Sequence, residues 1–451
     1  MDDGLSRRSF FGVLGTAGIR AGLGSSAFGA DKNAHLPGKA GKAATTSRGS
    51  GRSHVRLAGG KVIQPQRELP VFRETDVLVV GGGPSGVAAA VAARRTGAKV
   101  TLVERYGCFG GLWTGGLVLK LPGIAFRKKQ VALGICEEIL QRLDKMDQAV
   151  IERGPGEQPT VDAEATKYVL SEMIRETGVD VYLHSWGVDV IMDGNTVKGA
   201  VFESKSGRFA VLAKTVIDAS GDGDIFSIAG APYEHRRHRV GLVCRIGNMD
   251  KIDQTKTKQA KKPPRGIGEP TPKPGINWVN MGGPESDGVD INDLTRLEMD
   301  HRRQIWRQID IIRKTPGYEQ VYLVEVASQL GVRVSRVLTG MKQVTFKGAK
   351  AGRKFSDVIG MGGEWNPGNP LLEIPFGALV PRKIENILAV GRCVSADPAI
   401  MESMRLIPCA LVTGHAAGVA SALAVQDGCL CRDVEIPKLQ KHLREQGAYL
   451  G

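Results

Sequence analysis

The 451 residues can hold one large or two medium domains with a sizeable core, and 42% hydrophobic with 24% charged residues fits a soluble globular chain. The formal charge of +14 invites a nucleic-acid reading, but residues 1–73 alone hold 12 Lys/Arg against 4 Asp/Glu, which leaves the remainder only mildly basic. No apolar run reaches the roughly 18 residues of a membrane-spanning helix, and the seven scattered cysteines include no C-x-x-C pair, so neither an integral membrane span nor a metal site is expected.

The chain opens on Ser6-Arg7-Arg8-Ser9-Phe10-Phe11, which resembles the twin-arginine export motif. A weakly apolar run, interrupted by Arg20, and a small-residue end at Ala27–Ala30 follow. Residues 1–30 are thus expected to be an export signal read by the twin-arginine translocation machinery, which moves folded proteins to the periplasm. Residues 31–73, rich in Gly, Ala, Ser, Lys and Arg without periodicity, are expected to be a disordered linker.

From Asp76 the pattern changes. Five strand-forming residues run into Gly81-Gly82-Gly83-Pro84-Ser85-Gly86, an Ala-rich helical stretch runs to Thr96, and a second strand, Lys99–Val103, ends on Glu104. This is a βαβ unit with G-x-G-x-x-G in its first turn. Gly81 serves the tight turn, Gly83 the approach of a pyrophosphate, and Gly86 close packing of helix on strand. The helix N-terminus offers unpaired N–H groups to phosphate, and Glu104 can accept from ribose hydroxyls. The ending lacks the Lys-Ser/Thr of a P-loop, so a dinucleotide is expected, its kind left open by this turn alone.

A second glycine-dense loop, Arg105–Gly116 with Gly110 and Gly111, follows Glu104 directly and suits a flavin nucleotide. Cys108 lies in it without a second cysteine at disulfide spacing and reads better as a packed residue than as a nucleophile. Helical periodicity then predicts helices over 131–145 and Ala163–Thr177, the latter stopped by Gly178. Short strands separated by Asp193-Gly194-Asn195 and Ser206-Gly207 predict hairpins. The strand Thr215–Asp218 runs into a further glycine turn with Gly221 and Asp222. It lacks the distal Glu of a calcium loop, and a turn beside the cofactor is the better reading.

Residues 235–273 are polar and basic and read as an exposed loop. Contact with an anionic substrate or polymer is the competing reading, and the aromatics that would stack on bases are absent. A helix over 290–314, a strand over 319–325 and a cavity wall over 331–337 complete the middle of the chain. Near the end, Asn386–Val390 leads into Gly391-Arg392, and Pro408 starts a helix in which Gly414 and Gly418 flatten one face for a backbone or a flat ring. The N-terminus of that helix could stabilise negative charge on a reduced flavin.

Taken together, Val80–Gly86, Glu104–Gly111, Val216–Asp222, Ile374–Pro381 and Asn386–Arg392 with Arg405 and Gly414–Gly418 resemble the FAD-dependent oxidoreductase family (FAD_oxidored) within the glutathione-reductase-like flavoproteins. The resemblance implies an α/β fold. A Rossmann-like FAD-binding domain with a parallel sheet and a β-meander crossover would span 74–235 and 381–427. An inserted α+β substrate domain would span 236–380, and 428–451 would be a tail. It implies that Gly81, Gly83, Pro84, Ser85, Gly86, Glu104 and Arg105 hold the ADP half. Gly110, Gly111, Gly221, Asp222, Gly391 and Arg392 would line the rest of the FAD. Where the family commonly shows Gly-hydrophobic-Arg-Glu-Ser/Thr-Arg-Arg, this chain reads Gly331-Val-Arg333-Val334-Ser335-Arg336-Val337; if that segment meets substrate, the substrate is altered or activity lost.

The expected activity is hydride transfer between a small organic substrate and flavin N5, with an unidentified partner donating or accepting electrons. The alternative is a flavin-binding assembly protein without turnover. Arg333, Arg336 and Arg405 are candidates for clamping an anionic group, and His415 for acid/base work, since imidazole titrates near neutrality. Each arginine could instead pair with a carboxylate, and His415 could cap a helix.

Overall fold

The computed structural model describes residues 54–451 other than Lys261 and Pro367. The expected export signal and residues 31–53 of the expected linker lie outside the described residues.

Ten residues, Val71–Val80, form β1, and Pro84–Arg95 form α1. Val100–Val103 form β2, Ile135–Asp144 α2, Ala163–Thr177 α3 and Asp180–Tyr182 β3. Asp162 caps α3 by accepting from the Ala165 N–H, and Gly178 ends it at φ 71°, so both boundaries follow from local chemistry. The hairpins fall where the turn residues put them, in β4 (Trp186–Asp193), β5 (Thr196–Ser204) and β6 (Gly207–Asp218).

β6 is the hinge of the first sheet. Its first half pairs antiparallel with β5, while its length runs parallel to β1, with Val211 opposite Arg73 and Asp218 opposite Val80. Parallel pairing continues from β1 to β2 and β3. The order is β4-β5-β6-β1-β2-β3, a parallel sheet with the expected meander on one side. The linker expected up to residue 73 is too long. Arg56–Ala58 pairs with Lys61–Ile63 as a small hairpin, and β1 starts at Val71 because Ala210 of β6 offers it a partner some 140 residues away.

The basic run from 235 is no exposed loop at its start. Short α4 (Asp224–Ile228) precedes β7 (His238–Gly247), whose Val240, Leu242, Val243, Cys244 and Ile246 are buried. β7 is the centre of a second, antiparallel sheet with β8 (Asn277–Met281), β9 (Tyr322–Val326) and β10 (Gly331–Val332). Helix α5 (Ile291–Arg313) lies on this sheet through Leu297, Ile305, Ile309 and Ile312, its N-terminus capped by Asp290. The second sheet meets the first region through a pair of hydrogen bonds, from the N–H groups of Ser328 and Gln329 to Gly115 O in the glycine-dense loop.

The chain then returns. β11 (Val358–Gly362) pairs with β12 (Leu372–Pro375), and β13 (Ile387–Ala389) adds to the first sheet parallel to β6, Ile387 opposite Val216. Two helices follow, α6 (Pro398–Met404) and α7 (Ile407–Asp427). α7 is apolar all round because it is enclosed all round. It is long and apolar enough to cross a membrane, against the expectation of no such run, and Ile407–Ala424 is buried throughout inside the fold. Its flat face meets a backbone rather than a ring. A Cβ at Gly414 would stand 2.0 Å from Ser85 O, and one at Gly418 2.2 Å from Ala89 O, so α7 and the alanines of α1 pack backbone against backbone. Residues 428–451 are not a loose tail. They form α8 (Ile436–Glu445), whose Leu439 and Leu443 are fully buried in the main core, an amphipathic pattern that needs only a partner to dock.

Candidate active site

One cavity of about 1410 Å³ joins the two sheets. A single ligand pocket usually takes roughly 300–1,000 Å³, so this one has room for a dinucleotide and a second molecule. Its first end is built from the β1–α1 turn. Gly81 sits at φ +108°, and a Cβ on it would stand 2.4 Å from Ala219 O; one on Gly86 would stand 1.7 Å from Gly81 O. Both glycines are required by contact between backbones. Gly83 differs. Its φ is −68°, open to any residue, and a Cβ there meets nothing within 4 Å, so the space beside it belongs to the cavity.

Helix α1 begins beside that space with Pro84, no side-chain cap and no acid in its first turn. Its free N–H groups and partial positive charge are therefore available to an anion. Glu104 is buried at the end of β2 and accepts from the N–H of Gly82 at 2.5 Å and of Tyr106 at 2.8 Å. Burial raises the pKa of its carboxyl, which these N–H donors oppose. Two acceptor sites remain on the carboxylate for ribose hydroxyls. Arg105 stacks on Tyr106 and on Trp186, with guanidinium-to-ring distances of 4.7 and 5.5 Å.

The glycine-dense loop is fastened to the same turn. Gly110 N–H donates to Gly82 O, and Gly111 at φ +50° lies close to Gly83, where a Cβ would stand 3.2 Å from the Gly83 Cα. Cys108 in this loop is half-buried, and burial pushes its thiol up, away from nucleophilic duty. At the far side, Arg392 lies over the Gly221 turn: its guanidinium occupies the space a Cβ at Gly221 would need, 2.2 Å from Nη1, and it pairs with Asp222 at 2.7 Å. Arg392 Nε is buried without a partner. Asp218, whose carboxyl burial raises to about 6, accepts from the Ile225 and Phe226 N–H groups and pins the turn to α4. Helix α7 reaches the cavity with Leu406 and Ile407, again with no cap and no acid in its first turn.

A dinucleotide fits these observations. Two uncapped helix N-termini and an open space at Gly83 lie at one cavity that also holds Glu104. Gly81, Gly83, Pro84, Ser85, Glu104, Arg105, Gly111, Gly221, Asp222 and Arg392 line it, while Gly86, Gly110 and Gly391 support it from behind.

The second end is polar and basic. Arg333, Arg336 and Arg405 line it as expected, but they are not equivalent. Arg336 pairs with Asp224 at 2.8 Å and donates to Asp222 O, so it ties β10's continuation to the Gly221 turn. Ser335 does the same through Asp222, at 2.6 Å. Arg405 pairs with Glu402 and lies 5.8 Å from the Trp365 ring centre. Arg333 donates to Arg239 O at 3.0 Å and makes no ion pair among the described residues. Burial, and then the positive field of Arg405, lower its pKa from the usual arginine value, with the Glu402 carboxylate opposing them.

Two expectations are corrected here. Val334 and Val337, the departures from the family pattern, are 2% and 1% exposed and pack in the main core. Neither lines the cavity, so the change does not remove charge from it. His415 is also outside the cavity. It is buried on α7 behind the α2 N-terminus, with Nε2 3.1 Å from Gln446 Oε1, and burial lowers its pKa to about 4. Sequence reading missed His238 and Glu402, which line the cavity and pair at 2.6 Å. His238 was hidden in the basic run, and only the start of β7 sets it apart.

A family model described as FAD dependent oxidoreductase matches residues 76–443. Thiamine thiazole synthase of Metallosphaera sedula is 33% identical over 172 residues, covering 35% of this chain and 58% of that protein. The Methanococcus maripaludis protein of the same description is 31% identical over 157 residues, covering 33% and 56%. The chain thus spans little more than half the length of these curated relatives. Among solved structures, a geranylgeranyl bacteriochlorophyll reductase-like protein of Thermoplasma acidophilum is 18% identical with a TM-score of 0.49, 83% of each chain being covered. A p-nitrophenol 4-monooxygenase of Pseudomonas putida is 12% identical with a TM-score of 0.47, covering 84% of this chain and 89% of that one. With most of its length matched to one family model, the chain belongs to the FAD-dependent oxidoreductase family, with FAD as its cofactor.

Proposed function

We propose that this protein oxidises or reduces a small organic anion, with a hydride exchanged between that substrate and flavin N5. The observation that carries the reading is Arg333, a half-buried guanidinium without an ion pair among the described residues, in the same cavity as the glycine cradle. Bound FAD supplies the two-electron chemistry. The chain supplies the rest. Residues 74–235 with 381–427 act as the cofactor half and 236–380 as the substrate half. The α1 N-terminus, Gly81, Gly83 and Ser85 hold the pyrophosphate, with Gly86 packed behind them. Glu104 and Arg105 hold the ADP ribose end. Gly110, Gly111, Gly221, Asp222, Gly391 and Arg392 enclose the remainder. The uncapped α7 N-terminus provides positive potential for negative charge on the reduced cofactor. Arg333 clamps the substrate anion, beside Arg405, whose charge is already shared with Glu402.

An anaerobic screen tests this, with small carboxylic acids, neutral alcohols and nicotinamides offered to the FAD-loaded protein. Bleaching by carboxylic acids, with a raised KM in Arg333→Gln and an unchanged FAD spectrum, is the expected result. Bleaching by neutral donors or nicotinamides alone overturns the anion reading. We also propose export of the folded, FAD-loaded protein through the twin-arginine pathway, supported by Arg7-Arg8; periplasmic delivery should stop in Arg7→Lys/Arg8→Lys.

A further inference from the structure

A reaction that moves a hydride to or from an O–H or N–H bearing carbon must also move a proton. With His415 buried elsewhere, the cavity needs another group for it. His238 lines the cavity at the first position of β7, and its Nε2 lies 2.6 Å from Glu402 Oε1. Against the burial that would raise it, Arg405 and then His238 hold the Glu402 carboxyl below the usual range, so it is an anion there. An ionised Glu402 accepts the Nε2–H and leaves Nδ1 as the basic atom. The protein neighbour of Nδ1 is Arg239 O at 3.5 Å, which can accept from the ring but cannot donate to it. The ring is thus oriented by a carboxylate at a short distance on one nitrogen, while the other has only a long carbonyl contact, at the limit of a hydrogen bond, which a substrate proton donor must displace for the ring to act as a base.

We infer that His238 is the proton-transfer residue of this site, positioned by Glu402. In the oxidising direction a substrate C–H leaves as hydride to oxidised FAD, and the neighbouring O–H or N–H proton passes to His238 Nδ1. The substrate loses two electrons and two hydrogens, FAD gains the hydride, and the imidazolium is held between Glu402 and the Arg239 carbonyl. In the reducing direction the same proton returns. The charged groups lining the cavity around His238 are Glu402 of α6, Arg405 just after it, Arg333 just after β10, Glu285 on the strand paired with the start of β7, and Arg237 and Arg239 on its own segment. The cations outnumber the carboxylates, so a proton on His238 is retained best when a substrate anion lies among them. The inference rests on the anionic-substrate reading above.

Oxalate is the probe. FAD-loaded protein is titrated with oxalate from pH 5.5 to 8.5, following flavin absorbance, with proton uptake measured by calorimetry in buffers of different ionisation enthalpy. Wild type should take up close to one proton per oxalate in part of this range, with affinity falling up to about 10-fold per pH unit there. His238→Asn should bind with a flat pH profile and no uptake, and Glu402→Gln should shift the wild-type profile to lower pH. Equal uptake in wild type and His238→Asn would overturn the assignment of His238 while leaving the anion reading standing. Absence of oxalate binding, or equal binding by Arg333→Gln, would instead remove the anion reading and this inference with it.

Discussion

The two ends of the cavity are made from different materials. The glycine end is built from backbone: Gly81, Gly86 and Gly414 allow carbonyls to stand where no Cβ fits, and two helix N-termini supply the positive potential. The basic end is built from side chains carried by the second sheet and α6, and its charges are partly paired with one another. Backbone cannot be substituted, so the first end serves a constant ligand. Side chains can be exchanged one at a time without disturbing the sheets, so the second end is where a substrate is chosen.

The difference can be broken from either side. The largest effect is expected at Gly86→Val, where the new Cβ meets Gly81 O at 1.7 Å. We expect a loss of about 3 kcal/mol or more, seen as insoluble or early-melting protein with or without FAD. His415→Gln separates the packing behind the glycine end from chemistry. In the folded protein His415 protonates only near pH 4, against 6.5 for the free side chain, so the unfolded chain binds more protons between those values. Wild type should therefore lose on the order of 3 kcal/mol as pH falls from about 6.5 to about 4. The variant should lack that share of the acid slope in pH-dependent melts and keep its flavin reduction.

Gly83→Val addresses the cofactor without the fold. Its side chain enters open space at an ordinary φ, so the FAD-free protein should melt like wild type while FAD binds about 100-fold more weakly, roughly 2.7 kcal/mol by flavin titration. Unchanged FAD retention would show that the cradle is misassigned. At the basic end, Arg333→Gln should raise KM for an anionic donor about 10-fold with FAD affinity untouched, the loss of one charge-assisted hydrogen bond. Loss of FAD in this variant would mean the two ends are not separable. Glu104→Gln should have the smallest effect, a few-fold in FAD affinity, because the amide keeps one acceptor oxygen for the Gly82 N–H or the ribose.

Much of the cofactor end was legible in the chain. The unit from Asp76 to Glu104, the helix from Asp162 to Gly178 and the hairpins at 193–195 and 206–207 depend on residues close in sequence, so caps, turns and periodicity reveal them. The start of β1 was not legible, because its first residues are strands only by pairing with Ala210. Nor was α8, whose buried Leu439 and Leu443 need the main core to dock against. The roles of the arginines were equally hidden. Arg333 and Arg336 are three residues apart in one motif, yet Asp224 neutralises one and not the other.

What the sequence determined by itself was therefore the dinucleotide end: G-x-G-x-x-G, the acid at 104 and the small residues of α7 are local patterns whose chemistry is the same wherever they fold. Tertiary structure decided which charged side chains remain free. It buried His415, turned Val334 and Val337 into core, paired Arg336, left Arg333 open, and brought His238 of β7 within 2.6 Å of Glu402 on α6. Charge pairing and burial depend on distances between residues more than a hundred positions apart, and those distances exist only once the two sheets and α7 have packed.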